Sequence, residues 1–188
     1  MTTYSDTTVS PSTHYYYRAK AYNLVGDSSY SNEAKVSKKI FFDDMESGTA
    51  EWIADAPWGQ ITSDFHSSTT CWTDSPSGDY SNSSNISLTS IQFSLATGTS
   101  ATLTFWHHYE IEYRYDYGYV EISTDGGLSW AGLTSFTGTM GIWTQKIIGL
   151  TPYLGSSSVK IRFRLYTDGS VTYDGWFIDD VSVVGCDY

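Results

Sequence analysis

Basic residues are scarce in this sequence. Its 188 residues include 10 lysines and arginines against 21 aspartates and glutamates, so the formal net charge is −11. A chain with this charge repels the phosphates of nucleic acids and the anionic surface of membranes, and we expect neither as a partner. Acidic surfaces instead favour cations with a preference for oxygen ligands, Ca²⁺ among them.

Long apolar runs and helical patterns are also missing. No run of about 20 apolar residues is present, which argues against a membrane-spanning helix. No segment longer than about ten residues has apolar residues at helical spacing. The sequence therefore predicts a protein that is built from strands and is not inserted in a membrane.

Cysteines and catalytic motifs are few. The two cysteines, Cys71 and Cys186, allow one disulfide or two free thiols, and they are too few to define a disulfide scaffold. The sequence contains no His-Glu-x-x-His motif, no Gly-x-Ser-x-Gly motif and no phosphate-binding glycine loop. We therefore expect a protein that is not an enzyme.

Aromatic residues and alternating patterns are abundant. Aromatic residues make up 16% of the chain, with 16 tyrosines and 7 tryptophans, and such residues suit pleated strands. In residues 101–112, apolar side chains alternate with polar ones, as in a strand with one buried face. Further strands are predicted at residues 40–45, 86–95, 118–123, 141–148, 159–165 and 176–184. Many short strands separated by turn residues indicate an all-β, two-sheet antiparallel sandwich.

The first 37 residues differ in character from the rest. A Pro11-x-Thr13-x-Tyr15 corner leads into an alternating strand, a turn follows at residues 23–26, and Tyr30-Ser31-Asn32-Glu33-Ala34 closes the segment. This order resembles the C-terminal part of a fibronectin type III domain, and the resemblance implies that Tyr15 is its corner tyrosine. About three of seven strands are present, so the segment packs on the next domain, frays, or completes the sheet of another chain.

The remaining chain carries five short motifs in a fixed order. They are Phe42-Asp43-Asp44-Met45-Glu46-Ser47-Gly48, Trp72-Thr73-Asp74-Ser75-Pro76-Ser77-Gly78-Asp79-Tyr80, Leu103-Thr104-Phe105-Trp106-His107-His108-Tyr109, Val120-Glu121-Ile122-Ser123-Thr124-Asp125-Gly126-Gly127-Leu128-Ser129-Trp130 and Tyr173-Asp174-Gly175-Trp176-Phe177-Ile178-Asp179-Asp180-Val181. Together they resemble the MAM-like jelly-roll modules of secreted bacterial proteins, such as the C-terminal regions of immune inhibitor A-type peptidases. The predicted organisation is a fibronectin-like fragment at residues 1–37, a linker at 38–40 and a jelly roll at 41–185.

Carboxylates from both ends of this predicted jelly roll form a candidate metal site. Alternation places Asp179 on the same inward face as Phe177 and Val181, and a buried carboxylate requires a cation or hydrogen-bond donors. First and last strands are often neighbours, so Glu46 is expected near Asp179. The resemblance to jelly rolls implies a structural Ca²⁺ here. The predicted ligands are Glu46 and Asp179, followed by Asp180, Asp74 and Asp44. The alternative is that these carboxylates cap turns or face solvent.

Two further acidic features have simpler interpretations. Asp116 and Asp174 each precede a turn that contains glycine, so they either cap turns or form a second cation site. The segment from Ser123 to Trp130 matches the Asp-box motif of sialidases but occurs once. We interpret it as a hairpin in which Asp125 accepts backbone hydrogen bonds.

A polar sheet face is the candidate ligand site. Its predicted residues are Trp106, His108, Glu110, Glu112 and Tyr119. One interpretation is a shallow binding face in which aromatic rings stack on sugars. The other is a ladder of cross-strand ion pairs on a solvated face, on which Glu121 and the basic residues Lys160, Arg162 and Arg164 join the residues above.

The sequence favours a non-catalytic, extracellular accessory module of a larger secreted protein, in which Ca²⁺ has a structural role. Such a module binds a protein or a glycan at a cell surface or in an extracellular matrix. Carbohydrate-binding modules share the opening and closing motifs, so a carbohydrate-binding module is the first alternative. The second alternative is an assembly protein that pairs through its incomplete fibronectin strands.

Overall fold

The structure is a computed structural model that describes residues 16–31, 34–35 and 38–186. The predicted Pro11–Tyr15 corner lies outside these residues. In the described ranges the chain forms fifteen strands and one short 3-10 helix at Thr151–Tyr153. The strands are β1 Tyr16–Tyr17, β2 Tyr22–Asn23, β3 Gly26–Asp27, β4 Ala34–Lys35, β5 Lys38–Asp43, β6 Trp52–Ala54, β7 Gly59–Ile61, β8 Cys71–Thr73, β9 Asn85–Ser90, β10 Ser100–Ile111, β11 Tyr117–Ser123, β12 Ala131–Phe136, β13 Gly138–Gly149, β14 Lys160–Tyr166 and β15 Gly175–Cys186.

Two antiparallel sheets form a β-sandwich, which confirms the predicted fold class. The six-stranded sheet has the order β13-β10-β15-β8-β7, and β5 pairs with the C-terminal part of β15. The five-stranded sheet has the order β12-β11-β14-β9-β6. The first strand of the sandwich, β5, therefore lies beside its last strand, β15, as expected from the sequence.

Alternation predicts the long strands well. In β10, Ala101, Leu103, Phe105 and Ile111 are buried and alternate with half-buried or exposed neighbours. The predicted strand at residues 101–112 is thus confirmed to within one residue at each end. The short strands β6, β7 and β8 and the edge strand β12 were not predicted, because segments of three residues or of small residues show no clear alternation.

The core lies between the two sheets and is rich in aromatic rings. Phe163 contacts Phe105 and Trp176, with ring centroids 5.0 and 5.6 Å away, and all three side chains are fully buried. Burying an aromatic side chain of this size stabilises the fold by about 1.5–3 kcal/mol. Gly118 makes the close approach of β11 possible, because a Cβ atom there would lie 2.7 Å from the Trp176 ring.

The N-terminal segment contributes two small pairs of strands. β1 pairs with β4, and β2 pairs with β3 in a hairpin whose Leu24 and Val25 are fully exposed. The fibronectin resemblance and the domain boundaries stay predictions. Cys71 is a buried free cysteine, so the possible disulfide with Cys186 is not formed in the structure. No helix in the described residues is long and apolar enough to span a membrane.

Candidate functional site

Glu46, the first predicted metal ligand, binds the loop between β7 and β8. One carboxylate oxygen accepts hydrogen bonds from the backbone N–H groups of Thr69 and Thr70, at 3.0 and 2.9 Å. The other accepts the Thr69 hydroxyl. These hydrogen bonds, that from the Thr69 side chain above all, hold the pKa of Glu46 below its usual value. The donors here stabilise the charged form of Glu46.

Asp179 and Asp180 bind the other end of the same loop. Asp179 is fully buried and accepts the N–H groups of His66 and Ser67, at 2.9 and 3.0 Å. Asp180 accepts the Ser67 hydroxyl at 2.9 Å and lies 2.7 Å from His66 Nδ1. Burial raises the pKa of Asp179 to about 6, although the two N–H groups oppose this effect. Carboxylates from both ends of the sandwich thus bind the same loop, Glu46 at residues 69–70 and the two aspartates at residues 66–67.

The other two predicted ligands have different partners. Asp44 accepts the backbone N–H of Glu46 at 3.2 Å and so caps a turn. Asp74 is fully buried and accepts the N–H of Trp176 at 2.9 Å, but its Oδ1 atom has no hydrogen-bond partner in the described part of the chain. Burial raises the pKa of Asp74 to about 7. The metal assignment of all five residues stays a prediction.

An acidic group that the sequence did not predict involves Asp116. Carboxylate oxygens of Asp116, Glu112 and Asp168 all lie within 4.8 Å of one another. Asp116 is buried and accepts the Tyr80 hydroxyl at 2.8 Å and the Asp168 N–H at 2.7 Å. The structure therefore groups Asp116 with Glu112 and Asp168 rather than with Asp174. Burial and the two neighbouring carboxylates raise the pKa of Glu112.

The predicted ligand residue Trp106 is covered by the chain itself. It lies on the outer face of the six-stranded sheet, and the His66 ring stacks on it with centroids 3.8 Å apart and planes 13° apart. The same His66 is held by Asp180. The position that a sugar ring would occupy on this side of Trp106 is therefore filled.

His108 is enclosed in the same way. Its ring stacks on Phe177 at 4.3 Å and meets the edge of Trp143 at 4.6 Å. Asp64 accepts the indole N–H of Trp143 at 3.0 Å and lies 3.0 Å from His108 Nε2. Residues 64–70 thus fasten onto the outer face of the six-stranded sheet. Of the predicted ligand residues on β10, Glu110 alone remains exposed.

The grouping of Tyr119 with these residues on one face is wrong. Tyr119 lies on β11, in the five-stranded sheet, whereas Trp106, His108 and Glu110 lie on β10, in the six-stranded sheet. The two sheets pack through their inner faces, so their outer faces point in opposite directions. Alternation within one strand shows which side chains point outward but not which sheet the strand joins.

Tyr119 belongs to a separate surface, which we call the tyrosine–arginine face. It consists of the outward side chains of β11 and β14: Tyr117, Tyr119, Glu121, Lys160, Arg162, Arg164 and Tyr166. Tyr117 stacks on Tyr119 with ring centroids 5.7 Å apart, and Tyr166 lies opposite Tyr117 in the strand register. Tyr166 is 46% exposed.

Only the Glu121 part of the predicted ladder of ion pairs is found on this face, because Glu110 and Glu112 lie at or just beyond the end of β10, in the other sheet. Glu121 accepts hydrogen bonds from Arg162 Nε at 2.6 Å and from Arg164 Nε and Nη2, both at 2.9 Å. Arg164 also covers the Tyr119 ring, and Arg162 covers the Trp130 ring. Burial raises the pKa of Glu121, but the hydrogen bonds and charges of the two arginines outweigh this effect. The net result is a pKa below the usual value.

The predicted hairpin after β11 is confirmed as well. Asp125 accepts the N–H groups of Leu128 and Ser129, both at 3.0 Å. Gly126 and Gly127 have φ angles of 76° and 105°, which residues with a Cβ atom rarely adopt. The motif is therefore explained by the turn that it forms.

Comparisons with known proteins find a sequence match to part of a peptidase and a fold shared with adhesin and carbohydrate-binding domains. No family model matches the sequence. Over 104 residues, 55% of the chain, the sequence is 33% identical to Bacillopeptidase F of Bacillus subtilis, and the match spans 7% of that protein.

Three solved structures show the same β-sandwich fold. The K1 cleaved adhesin domain of Lys-gingipain from Porphyromonas gingivalis has a TM-score of 0.57 at 17% identity and covers 76% of this chain and 96% of its own. The CBM22-1 xylan-binding domain of Paenibacillus barcinonensis Xyn10C has a TM-score of 0.55 at 12% identity, with coverage of 82% and 99%. TmCBM61, in complex with β-1,4-galactotriose, has a TM-score of 0.51 at 17% identity, with coverage of 74% and 92%.

Proposed function

We propose that the chain is a non-catalytic accessory module of a larger secreted protein, and that it attaches this protein to a glycan. The match to part of a peptidase and the shared fold with adhesin and carbohydrate-binding domains support an extracellular binding role. The proposed glycan site is the tyrosine–arginine face.

The observation that carries this proposal is the ordered tyrosine cluster on an outer sheet face. Tyr117 and Tyr119 are stacked, and Tyr166 lies beside them in register. Tyrosine rings combine an apolar surface with a polar edge, which suits contact with the C–H faces and hydroxyl groups of sugars. Because the rings are already held by the sheet, little conformational entropy is lost on binding.

Affinity electrophoresis with neutral polysaccharides, xylan and β-1,4-galactan among them, tests this function. We expect at least one polysaccharide to retard the chain, and we expect Tyr166→Ala to weaken the retardation. Tyr22→Ala is the matched control, because Tyr22 is 85% exposed and lies on β2, which belongs to a different sheet. Equal losses in both variants would contradict the site. Binding to no glycan would instead favour a protein partner.

Assembly is a second candidate, favoured by the edge strand β13. This strand has 12 residues, of which Lys146 alone is charged, and it exposes Ile142 and Ile147 by 74% and 63%. Exposed, uncharged edge strands pair readily with a strand of another chain. Light scattering coupled to size exclusion tests pairing between copies, including pairing through residues 1–37. A monomer at all concentrations would contradict it.

We also propose the structural Ca²⁺ that the sequence predicted at Glu46, Asp179 and Asp180. The burial of Asp179 supports it, because a cation would offset the cost of burying the charge, and Glu46 and Asp180 bind the same loop. Strained backbone adds support, since Met45, Ser68 and Asp180 have φ angles of 64°, 50° and 49°. The ion would tie the loop to both ends of the sandwich.

Calorimetric melting with Ca²⁺ or with a chelator tests the ion. We expect Ca²⁺ to raise the melting temperature of the natural sequence but not of the Glu46→Gln variant. Glu110→Gln is the control, because Glu110 is exposed and outside the proposed site. If Glu112→Gln abolishes the effect and Glu46→Gln does not, the ion binds at the acidic group of Asp116 instead.

A further inference from the structure

We infer that the tyrosine–arginine face binds an acidic polysaccharide, that is, one whose sugars carry carboxylate groups. This inference rests on the proposed glycan-binding function and specifies its ligand class. It depends on the distribution of charge across the face and on the donors that the fold leaves unused.

Positive charge is concentrated on one strand of an acidic chain. Lys160, Arg162 and Arg164 occupy alternate positions of β14 and point outward, because Ile161 and Phe163 between them are buried in the core. These are three of the ten basic residues in a chain of net charge −11. One carboxylate on the face, Glu121, pairs with both arginines, so cations outnumber anions there.

The two arginines differ in how many of their guanidinium N–H groups are used in hydrogen bonds within the fold. Arg164 donates to Glu121 through Nε and Nη2 and to Asn85 through Nη1 at 3.3 Å. Arg162 donates to Glu121 through Nε alone, and its two Nη groups have no hydrogen-bond partner in the described residues. A carboxylate is recognised well by paired guanidinium N–H groups. Arg162 is therefore the carboxylate-binding residue, and Arg164 is the positioning residue that holds Glu121 and Tyr119.

The surroundings keep Arg162 in place for this role. Its guanidinium carbon lies 4.2 Å from the centre of the Trp130 ring, which restricts the side chain without using its N–H groups. Lys160 lies two residues away on the same face, roughly 6.6 Å along the strand. Tyr166 lies four residues away in the other direction, roughly 13 Å from Arg162. An extended oligosaccharide along β14 would meet a stacking ring at one end and carboxylate-binding donors at the other.

The overall negative charge does not exclude an anionic ligand. At physiological ionic strength the Debye length is about 8 Å, so charges beyond the face are largely screened from a ligand bound on it. The nearby carboxylates of Glu121 and Asp125 are already hydrogen-bonded within the fold. Binding is therefore governed by Lys160 and Arg162.

Binding of polygalacturonate to the 188-residue chain, measured by isothermal titration calorimetry, tests this inference. Fully methyl-esterified polygalacturonate is the matched ligand, because it keeps the sugar backbone and lacks the charge. We expect the ester to bind at least about tenfold more weakly, and Arg162→Gln to weaken polygalacturonate binding by a similar factor. Lys160→Gln should weaken it less, since an ammonium group makes no paired contact.

Lys146→Gln is the control variant, because it removes the same charge from β13 in the other sheet. We expect it to change the affinity less than about twofold. Arg162→Lys separates charge from geometry and should restore binding in part. Melting curves of all variants establish that they are folded.

Three results would overturn the inference. The first is binding of the methyl ester as tight as that of polygalacturonate. The second is an equal loss of polygalacturonate affinity in Lys146→Gln and Arg162→Gln. The third is binding of poly-L-glutamate as tight as that of polygalacturonate. Neutral glycan binding that is lost in Tyr166→Ala, without polygalacturonate binding, would overturn the acidic ligand and keep the proposed function. Binding to neither kind of polysaccharide would overturn both.

Discussion

His66 lies flat on Trp106, with ring centroids 3.8 Å apart and planes 13° apart. This contact joins the loop before β8 to the six-stranded sheet. The Nδ1 atom of His66 in turn contacts the carboxylate of Asp180. A tryptophan on an outer sheet face is a natural candidate for sugar stacking. In this chain Trp106 instead packs against His66 and so holds the loop before β8 on the sheet.

Replacing Trp106 should therefore affect stability rather than glycan binding. We expect Trp106→Ala to lower the free energy of unfolding by roughly 2 kcal/mol, because the half-buried indole loses its contact with His66. Urea unfolding and affinity electrophoresis on the same samples check this. If Trp106→Ala abolished polysaccharide binding and left stability unchanged, the ligand face would be on the six-stranded sheet.

The contact between Gly118 and Trp176 yields a prediction about packing. A Cβ atom at position 118 would lie 2.7 Å from the buried indole, which has no room to move in the core. We expect Gly118→Ala to lower the free energy of unfolding by about 1–3 kcal/mol. Gly132→Ala is the control, because nothing lies within 4 Å of a Cβ atom there. Its effect should stay within about 0.5 kcal/mol in the same urea unfolding experiment.

How far the fold follows from the sequence depends on how local each signal is. The strand β10 is predicted nearly to its ends because inward and outward side chains alternate through all twelve of its residues. The neighbours of a strand are set elsewhere in the chain: Tyr119 lies opposite Ser135 and Arg164, whereas Trp106 lies opposite Gln145 and Asp179. No local pattern distinguishes these two sets of partners, so the sequence alone does not separate the two residues into different sheets.

The candidate sites show the same limit. Alternation correctly predicts that Asp179 is buried, and the usual pairing of first and last strands in sandwiches correctly predicts that β5 lies beside β15. The loop residues Thr69 and Thr70, which bind Glu46, carry no periodic signal and were missed. Asp168 was missed for another reason, since 52 residues separate it from Asp116 and only the fold brings them together.

The ion pairs of Glu121 should contribute measurably to stability. Glu121 is 8% exposed and pairs with two arginines, so its neutralisation leaves two partly buried cations without a paired carboxylate. We expect Glu121→Gln to lower the free energy of unfolding by about 2 kcal/mol, measured by urea unfolding at pH 7. Glu110→Gln, an exposed position, should have almost no effect. Similar effects in both variants would show that the paired carboxylate adds nothing.

His107 should make the stability of the fold depend on pH. It is buried, and its Nδ1 atom accepts the Trp176 indole N–H at 3.2 Å, which requires the neutral ring. Burial, with a smaller effect of the Lys146 charge, lowers the pKa of His107 to about 4, against about 6.5 in an unfolded chain. The unfolded state therefore binds the proton more readily, so this contribution is complete above pH 6.5 and is lost as the pH falls towards 4.

Asp74 and Asp179, whose pKa values are raised, act in the opposite direction over this range, so we compare the natural chain with His107→Gln. Between pH 7 and pH 4 the natural chain should lose about 3 kcal/mol relative to the variant in urea unfolding, and parallel curves would show that His107 does not titrate as the structure requires.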